Sequence, residues 1–142
     1  MMSGNINPQS IRRLPLIQKL TLVYEIQRLL MQHRPDGFSP PKFPILTKDG
    51  VRSPDLVWIT SERRRQIIAD SAASIAPEIC VEVMSPGNTM AQMQKKGRLY
   101  LQAGALEYWI CDEAQKLHFF SQTDELTQSD IIPCFPSSIT LE

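Results

Sequence analysis

The spacing of apolar and polar residues along the chain predicts two main helices with strands between them. From Pro15 to His33, apolar residues recur every three or four positions, as on the buried face of an amphipathic helix. They are Leu16, Leu20, Val23, Ile26, Leu29 and Leu30. A second helix is predicted over residues 89–103, ending at Gly104, because glycine readily adopts the left-handed conformation after a helix. We expect the first helix to pack on a sheet.

Short apolar runs bounded by turn residues predict the strands of that sheet. Asp49-Gly50 separates two such runs and indicates a hairpin, with a connection longer than two residues. The β-branched run at 78–84 predicts a strand that Ser-Pro-Gly ends, and further strands are predicted at 106–112 and 116–121. The proline-containing tail at 131–142 is predicted to add a last edge strand.

The arginine-rich segment 61–68 predicts a short helix with Ser61 as its N-cap. The order is then helix, hairpin, strand, helix and two strands. This order predicts a mixed α/β or α+β fold, in which a central mixed sheet is flanked by helices.

Composition limits the classes of function. A chain of 142 residues fits one domain, here expected over 1–142, and 42% hydrophobic content suits a folded protein. Lysine plus arginine balance aspartate plus glutamate at 15 each, so nucleic acid binding would need positive charge concentrated locally. No signal peptide or apolar run of 18 residues is present, which predicts a cytoplasmic protein without a membrane partner.

The cysteines give no metal-binding or disulfide pattern. Cys80, Cys111 and Cys134 are odd in number and far apart. We interpret Cys80 and Cys111 as small buried thiols.

Glu82 is the first candidate for chemistry. It shares a strand face with Cys80 and Met84, and burying an ionised carboxylate there is costly unless a cation, a base or water lies beside it. Asp55 stands at the start of another apolar strand, so the two acids could form the oxygen-rich pocket that Mg²⁺ or Mn²⁺ prefers. A structural ion pair or an exposed sheet face would also explain Glu82, and a turn would explain Asp55.

Several basic residues could lie near the two acids or contact phosphates. Lys96 and Tyr100 are four apart on one helix face, and the Ser-Pro turn would fold that helix back across the strand that carries Glu82. Local clusters could contact phosphates, although solvated helix faces are the simpler interpretation of such runs. The clusters are Arg63, Arg64 and Arg65, and Lys95 with Arg98.

An ordered set of motifs resembles a known family. "SPDLVW", "PEICVEVMSPGNT", "KGRLY" and "GALEYWICD" resemble, in order and spacing, the bacterial Uma-two family of restriction endonucleases within the PD-(D/E)XK nuclease superfamily. The resemblance covers about residues 45–120 and implies a restriction-endonuclease-like fold. Two positions depart from the pattern: Met84 stands where the superfamily usually has a lysine, and Gln92 where many family members have an aspartate.

The resemblance implies a divalent-metal-dependent endonuclease that hydrolyses DNA phosphodiester bonds, expected to act as a homodimer. Asp55, Glu82 and the main-chain carbonyl of Val83 would hold Mg²⁺ or Mn²⁺. Lys96 would supply a fixed cation and Tyr100 would support it. Two alternatives stay open: an inactive nuclease fold that serves as a binding or assembly module, and a metal-dependent hydrolase of small phosphoesters, which would need a closed pocket.

Overall fold

A computed structural model describes residues 15–141 of the chain. Its helices and strands, in chain order, are α1 (Pro15–His33), β1 (Gly37–Phe38), β2 (Ile45–Thr47), β3 (Gly50–Arg52), β4 (Leu56–Thr60), α2 (Ser61–Ile67), β5 (Ile79–Val83), α3 (Met90–Gln102), β6 (Glu107–Cys111), β7 (Leu117–Phe120) and β8 (Glu125–Leu126). None of the helices in this part of the chain is long and apolar enough to cross a membrane.

The central sheet is mixed, as predicted. Six strands lie in the order β1-β4-β5-β6-β7-β8, and β2 and β3 form a separate hairpin. Strands β5 and β6 are parallel and are connected by α3, whereas the other neighbours in the central sheet are antiparallel. The β5–α3–β6 unit therefore carries α3 back across the sheet, next to the strand that contains Glu82.

The two faces of the sheet have separate cores. Ile79, Val81 and Val83 of β5 pack against α1 and the C-terminal tail, while Cys80 faces α2 and α3 on the other side. This alternation is the one predicted for the strand. Four aromatic residues of the strands are buried within the molecule: Trp58, Tyr108, Trp109 and Phe119.

The first helix has the predicted bounds, but its buried face is different. Leu22, Ile26 and Leu30 are buried, whereas Leu16 and Leu20 are largely exposed. A helix of 19 residues is about 28 Å long, and strands of five residues span about 17 Å. The N-terminal part of the helix therefore extends past the sheet that could cover it.

The predicted hairpin is present, but its connection is shorter than expected. Thr47 pairs with Gly50, which leaves only Lys48 and Asp49 between the strands. The Thr47 hydroxyl donates to the carbonyl of Gly50 and accepts from the N–H of Asp49, and Gly50 has a φ of +85°. These contacts and the left-handed glycine make the tight turn possible.

Two further predictions about element ends were wrong. Thr60 caps α2 instead of Ser61, because its side chain accepts from the N–H of Arg63 while Ser61 is already helical. The tail forms no strand in its described part: it makes one isolated bridge, between Lys116 and Ser138, and packs Ile132, Phe135 and Ile139 against the face of the sheet. The edge of the sheet is instead β8, which pairs with β7.

Helix α3 is fixed at both ends and in its middle. Thr89 and Gln92 form a reciprocal capping box at its start, and Gly104 beyond its end has a φ of +114°, as predicted. Gly97 lies directly on the ring of Tyr108, so close that an added Cβ would be 2.2 Å from a ring carbon. This close approach sets the distance between α3 and the sheet.

Candidate active site

Asp55 and Glu82 meet on neighbouring antiparallel strands. Asp55 immediately precedes β4 and Glu82 lies in β5, and each is only 3% exposed. The Asp55 N–H donates to Oε1 of Glu82 at 3.2 Å, and the Val83 N–H donates to Oδ2 of Asp55 at 2.9 Å. Each carboxylate thus accepts a main-chain hydrogen bond from the other strand. This reciprocal pair of bonds holds both acids in place.

Helix α3 brings two side chains to Glu82. The Tyr100 hydroxyl donates to Oε2 of Glu82 at 3.0 Å, and Nζ of Lys96 lies 3.4 Å from the same oxygen. Tyr100 is buried, whereas the Lys96 side chain is 44% exposed. Lys96 therefore reaches from solvent to the buried acid, in the arrangement predicted from its helical spacing with Tyr100.

Two lysines that the sequence analysis missed contact Asp55. Nζ of Lys42 lies 3.0 Å from Oδ1 of Asp55, and Nζ of Lys19 lies 3.3 Å from the same oxygen. Lys19 had a detectable signal, because it lies three residues before Leu22 and seven before Ile26, on the buried face of α1. Lys42 stands in the irregular segment between β1 and β2, where no periodicity could indicate its direction.

The surroundings of the two acids shift their pKa values in opposite directions. Burial, together with the negative charge of Asp55, raises the pKa of Glu82 to about 7. Burial also acts on Asp55, but the Val83 N–H, the hydrogen bond from Lys42 and the charge of Lys19 outweigh it and lower its pKa. Burial and the charge of Glu82 raise the pKa of Tyr100, so its hydroxyl stays a proton donor to Glu82.

Nearly the whole chain matches one protein family. The sequence profile of the Uma2 family, described as "putative restriction endonuclease", matches residues 10–141. The chain belongs to the Uma2 family.

A solved structure has a similar fold to this Uma2 protein. It is the crystal structure of a protein from Anabaena variabilis described as "a putative nuclease belonging to DUF820", with a TM-score of 0.63 and 16% sequence identity. The match covers 75% of the present chain and 64% of that protein, so the chain spans less than two thirds of its length. At this identity the similarity concerns the fold. A search of curated proteins found no match.

The donor set of this Uma2 protein fits a hard divalent cation. Asp55 and Glu82 offer carboxylate oxygens side by side, and Mg²⁺ is commonly bound by one or two carboxylates plus waters and substrate phosphates. Within residues 15–141 no cluster of three or more His, Cys, Asp or Glu side chains adds further ligands. Val83 contacts the site through its N–H, and the use of its carbonyl as a ligand stays a prediction.

The arginine triplet lies away from the acid pair. It follows the end of β4 opposite to Asp55, about 17 Å along the strand. Arg63 donates to the carbonyls of Ala76 and Gly104 and lies 3.6 Å from Glu78. Arg64 stacks on the ring of Phe38 at 4.5 Å, and Arg65 is exposed. Arg63 and Arg64 thus have structural contacts, and the structure does not bring the triplet to Asp55 or Glu82.

Lys95 and Arg98 lie on other sides of α3 from Lys96. Both are exposed, and Arg98 is two residues beyond Lys96, which places it about 200° around the helix. Arg98 lines a cleft of about 390 Å³ between α3 and the segment 120–125. Of the two, only Lys95 lies on a side of the helix next to Lys96.

Met84 departs from the superfamily pattern and Gln92 from the pattern of many family members, and both side chains have structural surroundings of their own. Met84, at the usual lysine position, lines a small cleft together with Lys19 of α1. Gln92 accepts the Thr89 N–H in the capping box and so stabilises the start of α3. Lysines from α1, α3 and the segment before β2 reach the acids in place of a lysine from β5.

Proposed function

We propose that this Uma2 protein is a divalent-metal-dependent endonuclease that hydrolyses DNA phosphodiester bonds at Asp55 and Glu82. The observation that carries the proposal is the juxtaposition of two buried carboxylates with three lysine ammonium groups, from Lys19, Lys42 and Lys96. Carboxylates can hold Mg²⁺ or Mn²⁺, and ammonium groups attract the phosphates of nucleic acid. Membership of the Uma2 family supports the same activity.

The protein's own residues prepare the acids for this role. The reciprocal bonds between Asp55 and the Glu82–Val83 segment hold both carboxylates, and the Tyr100 hydroxyl orients Oε2 of Glu82. A site held in advance loses little free energy to reorganisation during the reaction. When bound, a divalent ion supplies Lewis-acid polarisation of a phosphoryl oxygen.

Lys96 has the position of a catalytic cation. Its ammonium lies 3.4 Å from Glu82, yet almost half of its side chain remains open to solvent, where a substrate would arrive. From there it can orient a water molecule or stabilise negative charge that develops on the phosphate. Lys95, exposed one residue earlier, is proposed as a phosphate contact outside the reacting group.

The shape near the acids supports a polymeric substrate over a small phosphoester. The cleft beside Lys19 and Met84 measures about 80 Å³. Pockets that enclose small ligands are typically about 300–1,000 Å³. A substrate that lies across the surface, as a DNA backbone does, needs no enclosing pocket.

Plasmid cleavage by the purified protein with Mg²⁺, Mn²⁺ or EDTA tests the proposal. We expect metal-dependent cleavage, a loss of at least about 100-fold in kcat for Glu82→Gln, and a similar loss for Lys96→Met. Glu62→Gln, which removes an exposed acid from the first turn of α2, beyond the other end of β4, is the matched control and should cleave normally.

The outcomes separate the proposal from its main rival. If wild-type protein leaves DNA intact while binding divalent ions through Glu82, the site holds metal but the substrate is different. If it neither cleaves DNA nor binds the ions, the endonuclease proposal is wrong, and an inactive binding module is the better description.

A further inference from the structure

Positive charge is concentrated at the acid pair. Lys19, Lys42 and Lys96 place three ammonium groups within 3.4 Å of two carboxylates. The chain as a whole has no net charge. The ammonium groups therefore outnumber the two carboxylates that they contact even when both acids are ionised. Binding of nucleic acid by a neutral protein requires local positive charge of this kind.

Two of these ammonium groups crowd one oxygen. Oδ2 of Asp55 accepts the Val83 N–H, while Lys42 and Lys19 both lie on Oδ1, at 3.0 and 3.3 Å. Oδ1 is thus the oxygen of Asp55 that a divalent ion would use without breaking a main-chain bond. An ion there would strongly repel ammonium groups at such distances. The ion and the two lysines therefore compete for the same atom.

Lys42 is better placed to leave than Lys19. Its side chain is 65% exposed, compared with 25% for Lys19, which is attached to the rigid helix α1. The backbone of Lys42 is itself fixed, because its N–H donates to the carbonyl of Asp55 and its φ of +53° is in the left-handed region that few non-glycine residues adopt. The chain thus holds an exposed lysine beside the acid at some cost in backbone strain.

We propose that Lys42 is a phosphate-binding residue whose ammonium exchanges between Asp55 and the substrate. It neutralises Oδ1 of Asp55 until a divalent ion takes that oxygen, and it then binds a phosphate of the DNA backbone. This inference rests on the proposed function and adds to it a residue that couples ion binding to substrate binding. Lys19 stays near Asp55 throughout.

The first test is the affinity for Mn²⁺ alone, measured by calorimetry. Lys42→Met should bind the ion about two- to fivefold more tightly than wild type, the range that corresponds to removing one solvent-exposed ion pair. Lys42→Arg keeps the charge and should bind like wild type. Lys48→Met removes an exposed lysine from the β2–β3 turn and should also bind like wild type. Unchanged or weaker ion binding by Lys42→Met would overturn the exchange.

The second test is the salt dependence of DNA binding, measured in a Lys96→Met background that keeps both acids but should not cleave. The slope of log K against log salt changes by about 0.9 for each phosphate contact. Lys42→Met should reduce the slope by about this amount with Mn²⁺ present and leave it unchanged in EDTA. An equal reduction in EDTA would show a permanent phosphate contact and would contradict the exchange.

Failure of this inference can be told apart from failure of the proposed function. Wild-type protein that binds Mn²⁺ and cleaves DNA, while Lys42→Met has wild-type ion affinity and salt slope, refutes the role of Lys42 alone. Wild-type protein that does not bind Mn²⁺ refutes both. Thermal unfolding of each variant shows whether a lost effect is only a loss of folding.

Discussion

At the scale of single residues, the buried carboxyl of Glu82 should make stability depend on pH. Its pKa in the folded protein is about 7, above its ordinary value of 4.5, because of burial and the charge of Asp55. Folding therefore favours the protonated form of Glu82. The resulting contribution to the free energy of unfolding is fully present below pH 4.5 and is lost as the pH rises through 7. We expect the free energy of unfolding in EDTA to fall by on the order of 2–3 kcal/mol between pH 4.5 and 8.

Urea denaturation across this pH range measures the effect, and Glu82→Gln is its control. The glutamine does not titrate, so most of the decrease should be absent in the variant. Asp55 does not interfere, since its lowered pKa places its titration below this window. A wild-type stability that is constant or rises from pH 4.5 to 8 would contradict the assignment of a raised pKa to Glu82.

Two buried tyrosines provide a matched pair of residues. The Tyr100 hydroxyl donates to Glu82, whereas the Tyr108 hydroxyl donates to the carbonyl of Met93 at 2.8 Å. Replacing either by phenylalanine should cost about 1–2 kcal/mol of stability, because each leaves a buried acceptor with one donor fewer. Only Tyr100→Phe should also lower kcat for DNA cleavage, since only it orients the acid. Equal kcat values for the two variants would assign Tyr100 a purely structural role.

Some site residues could be predicted from the sequence because their patterns are local. Glu82 interrupts an apolar strand, and Lys96 and Tyr100 share a helix face, so each position carries a signal within a few residues. Lys42 carries no such signal, because its contact with Asp55 depends on the path of an irregular segment. Contacts made by loops depend on tertiary structure, which periodicity does not describe.

At the scale of elements, the contact between α3 and β6 should control the position of Lys96. Gly97→Ala would place a methyl group 2.2 Å from a ring carbon of Tyr108, whose ring is buried and held by its hydroxyl. The gain in helix propensity is about 1 kcal/mol, whereas overpacking typically costs about 1–3 kcal/mol and more where the clash is severe. We expect a net loss of stability together with a loss of cleavage, because α3 must move away from Glu82.

Equilibrium unfolding and plasmid cleavage of Gly97→Ala check this expectation. Gln102→Ala also introduces alanine into α3, with a smaller gain in helix propensity, at an exposed position near the end of the helix, and it should be neutral or slightly stabilising. Full activity of Gly97→Ala at unchanged stability would mean that α3 does not depend on this close contact.

The elements that the sequence predicted are those long enough to show a period. Helix α1 and helix α3 have clear apolar spacing, and β5 is a continuous apolar run interrupted by one acid. Strands β1 and β8 have two residues each, so alternation cannot be seen in them. The buried face of α1 was assigned partly wrongly because the sequence does not say how much of a long helix the sheet will cover.

At the scale of the whole molecule, the proposed active site would cut one strand of a duplex at a time. The homodimer implied by the family resemblance stays a prediction. A dimer and a monomer would differ in how the cleavage rate depends on protein concentration. If two copies act together, the rate of plasmid linearisation should rise with the square of protein concentration below the dissociation constant of the dimer. Nicking alone, with a first-order dependence on protein, would indicate an active monomer. Sedimentation at the same concentrations gives the oligomeric state independently.

The hydrogen bond from the Val83 N–H to Asp55 makes that amide a spectroscopic probe of the acid pair. Its proton resonance should lie downfield, as expected for a strong bond to an ionised carboxylate. The Asp55 amide, bonded to Glu82, reports on the second acid in the same way. In a ¹⁵N-labelled sample, these two cross-peaks should shift together as Mg²⁺ is added. Mg²⁺ is used for this titration because, unlike Mn²⁺, it is diamagnetic. The main-chain amides of Asp55 and Val83 would thereby report whether a divalent ion occupies the site at Asp55 and Glu82, without a probe attached to either side chain.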